Sequence, residues 1–85
     1  MMEFTKSELA WVKRVQKALD ACPSKRIGFA TSGDRGVALF DVEQYAEIFD
    51  RVENTNAEFI PASDAIGATF PLRLNFPNPV EGTAG

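Results

Sequence analysis

Length, composition and charge restrict the kinds of protein that these 85 residues can form. One domain is expected, because compact domains usually contain about 50 to 250 residues. The chain has no histidine and one cysteine, which excludes imidazole metal ligands, histidine catalysis, an internal disulfide and a Cys-x-x-Cys zinc site. The sequence therefore predicts a protein that is not an enzyme and has no catalytic, cofactor-binding or metal-binding residue.

Localisation follows from the cysteine usage and the hydropathy pattern. A single cysteine is typical of a reducing compartment. No apolar run approaches the roughly 18 residues that a membrane span needs, and the first residues lack the basic-then-apolar order of a signal peptide. We therefore expect a cytoplasmic protein without membrane contact.

The formal charge of −3 conceals an asymmetry between the two halves of the sequence. Residues 1–40 contain seven basic and four acidic side chains, a net charge of +3. Residues 41–85 contain two basic and eight acidic side chains, a net charge of −6. Such a division suits either pairing between the halves or binding through one charged face.

The first predicted element is an amphipathic helix. Thr5 and Glu8 have the spacing of a capping box, in which each side chain binds the backbone amide of the other residue. Pro23 ends the helix near Ala21 or Cys22, because the residue before a proline avoids the helical conformation. The apolar residues recur at spacings of three and four and are expected to face the core: Trp11, Val12, Val15, Ala18, Leu19 and Cys22.

A β-hairpin is predicted next. Two short apolar runs, 27–31 and 37–40, flank a loop that contains Gly33 and Gly36. Alternation puts Ile27 and Phe29 on one face, but the pattern does not decide whether the odd-numbered or the even-numbered residues of the second strand share it. The glycine spacing differs from that of a phosphate-binding Walker loop, which favours a plain turn.

A second amphipathic helix follows, with Asp41 as its predicted N-cap and Gln44 at the third helical position. Its apolar side contains Val42, Tyr45, Ala46, Phe49 and Val52, with Ile48 beside them. Its outer face contains Glu43, Glu47 and Asp50. Residues 54–56 end it, because asparagine favours caps and left-handed turns over helix interiors.

The remaining sequence has weaker signals. Residues 58–61 fit a short strand or a docking turn, and residues 63–67 fit one helical turn closed by a glycine. Strict alternation from Phe70 to Phe76 predicts a half-buried strand, and Pro71 and Pro77 place that strand at a sheet edge because proline cannot donate to a ladder. Residues 78–85 have no periodicity and are expected to form a flexible C-terminal tail.

Together these elements predict an α+β fold in a single small domain, residues 1–77. The expected order is helix, β-hairpin, helix and C-terminal edge strand. We expect a small antiparallel sheet that is covered on one face by the two helices.

Two charged surfaces are the candidate binding sites. The acidic residues Glu43, Glu47 and Asp50 lie at i, i+4 and i+7 and are candidates for contact with a protein. The second surface would contact nucleic acid or an acidic partner and contains Lys6, Lys13, Arg14, Lys17, Lys25 and Arg26. The acidic net charge argues against nucleic acid, because nucleic-acid binders usually carry denser basic patches.

Several segments resemble a family of small proteins from the early or accessory regions of lambda-like phages and prophages. The resemblance rests on the runs KSELAW at 6–11, KAL at 17–19, CPS at 22–24 and RIGF at 26–29. It also includes the ending Phe76-Pro77-x-x-Val80 followed by Gly82-Thr83-Ala84-Gly85. No catalytic motif accompanies it, so the resemblance implies a setting, the cytoplasm of a bacterial host cell, rather than a reaction.

The expected function is that of a small non-enzymatic phage-type accessory protein that modulates a host or phage protein by binding it. Two alternatives stay open. One is a nucleic-acid-associated regulator that uses the basic face of the first helix. The other is a salt-sensitive homo-oligomer, such as a homodimer, in which the basic half of one copy meets the acidic half of another.

Overall fold

The computed structural model describes residues 3–31 and 33–81. In that part of the chain the elements are α1 (Lys6–Asp20), β1 (Ile27–Thr31), β2 (Gly36–Asp41), a 3₁₀ turn (Val42–Gln44), α2 (Tyr45–Thr55), α3 (Phe59–Ala65) and β3 (Leu74–Asn75). The strands form one antiparallel sheet in the order β1-β2-β3. The predicted α+β class and the order of helix, hairpin and helix are confirmed.

The register of the hairpin pairs Phe29 with Leu39 and Gly28 with Phe40. Odd-numbered residues of β1 therefore share a face with odd-numbered residues of β2, and the even-numbered residues lie on the other face. The loop between the strands contains Gly33, whose φ of 87° is a left-handed conformation that glycine adopts at little steric cost.

A small apolar core lies between the even-numbered face of the sheet and the two helices α2 and α3. Its buried members are Phe40, Ile48, Ala62 and Ala68. The ring of Phe40 meets the rings of Tyr45 and Phe59 edge-on, with centroids 5.3 and 5.0 Å apart. Ile48, from α2, is completely buried.

The helices that cover the sheet are α2 and α3, whereas the prediction took the first helix as one of the two. Within the described residues, no side chain of α1 is buried. Residues 58–61, predicted as a strand or a docking turn, instead lead into and begin α3. Pro61 is tolerated there because it lies in the first turn, where backbone amides have no acceptor within the helix.

The C-terminal strand is shorter than the alternation from Phe70 to Phe76 predicts. Leu74 pairs with Val37, and Thr69 forms an isolated bridge with Phe40. Pro71 lies between these two contacts and cannot donate to a ladder. The tail predicted for residues 78–85 lies partly outside the described residues, because the description ends at residue 81.

Candidate interaction surfaces

Local interactions build α1. The Glu8 amide donates to Thr5 Oγ1 at 3.1 Å, and the Thr5 amide donates to the Glu8 carboxylate at 2.8 Å, which confirms the predicted capping box. The bond from the Thr5 amide is the main reason that the pKa of Glu8 is lowered from its ordinary value of 4.5, because it stabilises the charged carboxylate. The helix ends at Asp20, with Ala21 as its C-cap, close to the predicted end.

The apolar face of α1 is exposed, although it was predicted to be core. Trp11 is 52% exposed, Val12 54% and Leu19 45%. With Val15, these residues are named the α1 stripe here. An amphipathic helix of a globular protein ordinarily buries such a stripe against its own core. A contiguous exposed apolar surface of this kind is typical of an interaction site.

A groove of about 530 Å³ opens beside the N-terminal half of the α1 stripe. One wall consists of Phe4, Ser7, Glu8, Trp11 and Val12, and the other of Pro77 and Asn78. The second wall is anchored to the hairpin loop by Arg35, whose Nη1 donates to the Pro77 carbonyl at 3.3 Å and whose carbonyl accepts from the Phe76 amide at 2.8 Å. The groove thus extends the α1 stripe toward Pro77 and Asn78, which Arg35 fixes in place.

A second apolar surface lies where α2 and α3 meet β1. Tyr45 and Phe49 stack with centroids 5.0 Å apart and ring planes 13° apart, and Phe59 meets both rings edge-on. We name these three residues the aromatic cluster. Tyr45 and Phe49 are nearly half exposed. A groove of about 270 Å³ is lined by the cluster together with Phe29 and Thr31 of β1.

An ion pair joins Arg26, just before β1, to Asp41, the last residue of β2 and the cap of the 3₁₀ turn. Asp41 is 4% exposed and accepts from Arg26 Nη2 at 3.1 Å. It also accepts from Gln44 Nε2 at 3.1 Å and from the Glu43 amide at 3.0 Å, and so acts as the predicted cap. The bond from Arg26 is the main reason that the pKa of Asp41 lies below its ordinary value of 3.8, and the same contact raises the pKa of Arg26. The Arg26 guanidinium also lies 5.7 Å from the ring centre of Phe70.

The predicted acidic site lies at the surface and is divided between two elements. Glu43 belongs to the 3₁₀ turn, whereas Glu47 and Asp50 belong to α2. All three side chains are exposed. None of the three lines either of the grooves described above.

The predicted basic surface is divided as well. Four of its exposed residues belong to α1: Lys6, Lys13, Arg14 and Lys17. Lys25 and Arg26 follow in the connection to β1. The Arg26 guanidinium is engaged by Asp41 and by the ring of Phe70, so its first role is structural. The basic residues of α1 lie on the polar side of the helix, away from the α1 stripe.

Cys22 and the polar groups of the hairpin loop also hold the fold. The Cys22 thiol donates to the Ser24 carbonyl at 3.3 Å. In the hairpin loop, Asp34 accepts from the Gly36 amide at 2.8 Å and lies 3.6 Å from Arg73. Residues 3–31 and 33–81 contain no cluster of three acidic or thiol side chains arranged to hold a metal ion. No helix in that same part of the chain is long and apolar enough to cross a bilayer.

Searches of family models, curated proteins and solved structures found no match to this chain. The resemblance to phage accessory proteins therefore stays a prediction, and the geometry of the surface carries the functional argument.

Sequence reasoning missed the exposure of both apolar surfaces, each for its own physical reason. The spacing of Trp11, Val12, Val15 and Leu19 indicates that they share a face, but periodicity does not indicate what covers that face. The aromatic cluster depends on Phe59, which lies in the first turn of α3, a turn that was not predicted as helical because Pro61 follows it closely. The capping box of α1 is a sequence signal compatible with the exposed apolar face, because a helix capped by its own residues depends less on packing.

Proposed function

We propose that this chain is a small non-enzymatic accessory protein of the phage or prophage type, active in the bacterial cytoplasm, which modulates a host or phage protein by binding it. The observation that carries the proposal is the α1 stripe, exposed on a helix that buries no side chain among the described residues. Two features add support. The groove beside Trp11 extends this surface, and the nearly buried carboxylate of Asp41 is used to hold the fold.

The binding free energy expected from the α1 stripe sets a requirement on the partner. Complete burial of one large apolar side chain contributes about 1.5 to 3 kcal/mol, so four half-exposed ones contribute on the order of 3 to 6 kcal/mol. Association costs about 4 to 15 kcal/mol in lost freedom of motion. The α1 stripe alone is therefore too small, and we expect the partner to fill the groove between Trp11 and Pro77 as well.

A nucleic-acid partner would use less of the α1 surface than a protein partner would. Lys13 and Lys17 lie on the polar side of α1, so a phosphate backbone bound there would leave the α1 stripe in water. Arg26 is already held by Asp41 at 3.1 Å. A protein partner accounts for the α1 stripe and the adjoining groove together.

The test is affinity capture from bacterial lysate with the full chain and two variants. Val15→Glu places a charge in the middle of the α1 stripe. Ala10→Glu places the same charge on the polar side of the same helix and is the matched control. We expect a stoichiometric partner with the wild-type chain and with Ala10→Glu. The amount of this partner captured by Val15→Glu should be at least about tenfold lower. A tenfold loss of affinity corresponds to a loss of roughly 1.4 kcal/mol in binding free energy.

Circular dichroism confirms that α1 is still helical in both variants, and quantitative mass spectrometry measures the captured proteins. Two results would contradict the proposal. One is equal capture of the same partner by Val15→Glu and by the wild-type chain. The other is a lysate from which the folded wild-type chain retains no stoichiometric partner.

A further inference from the structure

β1 is an edge strand with backbone groups directed away from the sheet. The strand order places β2 on one side of β1 and, in the described part of the chain, no strand on the other. The Val42 amide donates to the Arg26 carbonyl at 2.8 Å, which makes these two residues a hydrogen-bonded pair at the start of the hairpin. Because antiparallel pairs alternate, the even-numbered residues of β1 point their backbone groups toward β2. The amides and carbonyls of Ile27, Phe29 and Thr31 therefore point to the open side.

This open side lacks the features that ordinarily prevent strand pairing. Natural edge strands are protected by charged side chains, prolines, bulges or very short length. The five residues of β1, IGFAT, include no charge and no proline, and they pair with β2 in an uninterrupted register. The other edge is protected, because β3 has two residues and lies between Pro71 and Pro77, next to Arg73. Of these two edges, β1 is the one suited to receive another strand.

Apolar side chains flank this edge on both faces of the sheet. Phe29 projects from the face opposite Phe40 and is 51% exposed. The aromatic cluster lies on the other face, and the groove of about 270 Å³ runs between it and β1. A strand added to β1 would cover Phe29 and close that groove, so apolar burial would accompany the new hydrogen bonds.

We propose that β1 pairs with β1 of a second copy of this chain, antiparallel, about a two-fold axis at Phe29. Phe29 then lies opposite Phe29 of the second copy, and Ile27 lies opposite Thr31 of the second copy. All of these positions direct their backbone groups outward, so the ladder of hydrogen bonds is complete. The edge is thus complementary to itself in hydrogen bonding, and the two Phe29 side chains meet at the two-fold axis.

The size of the contact predicts a weak dimer. A strand of five residues is about 17 Å long, and with the apolar side chains above and below it the contact covers roughly 300 to 400 Å² per copy. A stable complex buries about 800 Å² per partner. We therefore expect a dissociation constant of about 0.1 to 1 mM. A two-fold contact closes after two copies, so larger assemblies are not expected.

Amide hydrogen exchange measured by NMR at about 10 µM and about 1 mM protein tests the geometry directly. The amides of Gly28 and Ala30 should exchange slowly at both concentrations, because they bond to β2. The amides of Ile27, Phe29 and Thr31 should exchange quickly at low concentration and about two- to fivefold more slowly at high concentration, in proportion to the fraction of chains that stays monomeric. Light scattering on the same samples should show a rise from one chain toward two.

Charged variants separate this interface from the α1 surface. Phe29→Lys and Thr31→Lys each add a charge to the edge and should keep the chain monomeric at about 1 mM, a concentration at which about half or more of the wild-type chains should be dimeric. Leu72→Lys, which replaces a 77% exposed residue away from β1, should dimerise like the wild-type chain. Val15→Glu should also dimerise normally, so failure of the α1 proposal does not affect this one. Slow exchange of the Gly28 amide in each variant shows that the hairpin is intact.

Three results would overturn the proposal. The first is a wild-type chain that stays at the mass of one chain at about 1 mM. The second is a dimer in which the Phe29 and Thr31 amides exchange as quickly as in the monomer. The third is protection of those amides that appears when another protein is added and not when the concentration of this chain is raised, which would assign the edge to an extended segment of a different partner.

Discussion

The ring of Phe40 lies against the backbone of Gly28, its partner on the neighbouring strand. A β-carbon at position 28 would be 2.6 Å from Cε1 and 2.9 Å from Cε2 of that ring, closer than van der Waals contact allows. Glycine therefore provides the space in which Phe40 reaches Tyr45 and Phe59. Through this one ring, the hairpin is joined to both covering helices.

Gly28→Ala should destabilise the fold by about 1 to 3 kcal/mol, because the added methyl group overpacks a site that has no room for it. Urea unfolding followed by circular dichroism measures the change in free energy of unfolding. In the Gly28→Ala background, Phe40→Leu should cost less than it does in the wild-type chain, because the smaller side chain makes room for the methyl group. Strictly additive effects of the two substitutions would show that the methyl group and the ring do not meet.

Ile48→Ala should lower the free energy of unfolding by about 2 to 5 kcal/mol, because Ile48 is completely buried and its truncation leaves a cavity. Leu72→Ala is the matched comparison. Leu72 is 77% exposed, so its truncation should change stability by no more than about 0.5 kcal/mol. Thermal and urea unfolding of the two variants measure this difference, and similar losses in both would contradict the description of the core.

Asp41→Asn should make the melting temperature less sensitive to acid pH than it is in the wild-type chain. The pKa of Asp41 is lowered in the folded chain, chiefly by the hydrogen bond from Arg26. A carboxyl group of this kind stabilises the fold above its unfolded pKa, and that contribution is lost as the pH falls through the folded pKa. The melting temperature of the wild-type chain should therefore fall as the pH is lowered from about 5 to about 2.

The control for this prediction is Asp50→Asn, which neutralises an exposed carboxylate of α2. Its melting temperature should decline in acid as steeply as that of the wild-type chain. Asp41→Asn should be less stable at neutral pH and should decline less steeply. If both variants show the wild-type acid dependence, the Arg26–Asp41 pair does not couple folding to pH.

Trp11→Gln should leave the free energy of unfolding within about 0.5 kcal/mol of the wild-type value, because Trp11 belongs to a helix with no buried side chain among the described residues. By contrast, Phe40→Ala should cost about 3 to 5 kcal/mol. Trp11 is the one tryptophan of the sequence, so fluorescence reports on this position alone. Because about half of Trp11 is exposed, its emission in the folded monomer should lie closer to that of indole in water than to that of a buried tryptophan. A large red shift on unfolding would contradict the exposure of the α1 stripe.

Signals that act over a few residues predicted the candidate elements well. The capping box of Thr5 and Glu8, the cap at Asp41 and the turn around Gly33 each involve contacts between near neighbours, and each is present in the structure. The helical turn predicted for residues 63–67 overlaps the end of α3, and Gly67 follows it with a positive φ of 72°. The start of α3 escaped prediction because Pro61 usually indicates the end of a helix, although the first turn accepts it. The Phe70–Phe76 strand was predicted too long, because alternation is compatible with an extended segment whether or not another strand pairs with it.

The amino-acid sequence by itself determined the class of the fold, the caps of the helices and the sets of residues that share a face, because propensity and periodicity act along the chain over short distances. Only the tertiary structure decided the register of the hairpin, the choice of α2 and α3 as the covering helices, and the exposure of the α1 stripe and of the β1 edge. These features depend on contacts between residues far apart in the chain, such as Phe40 with Gly28 and Phe59. Whether an apolar face is buried is therefore settled by what the rest of the chain brings to it.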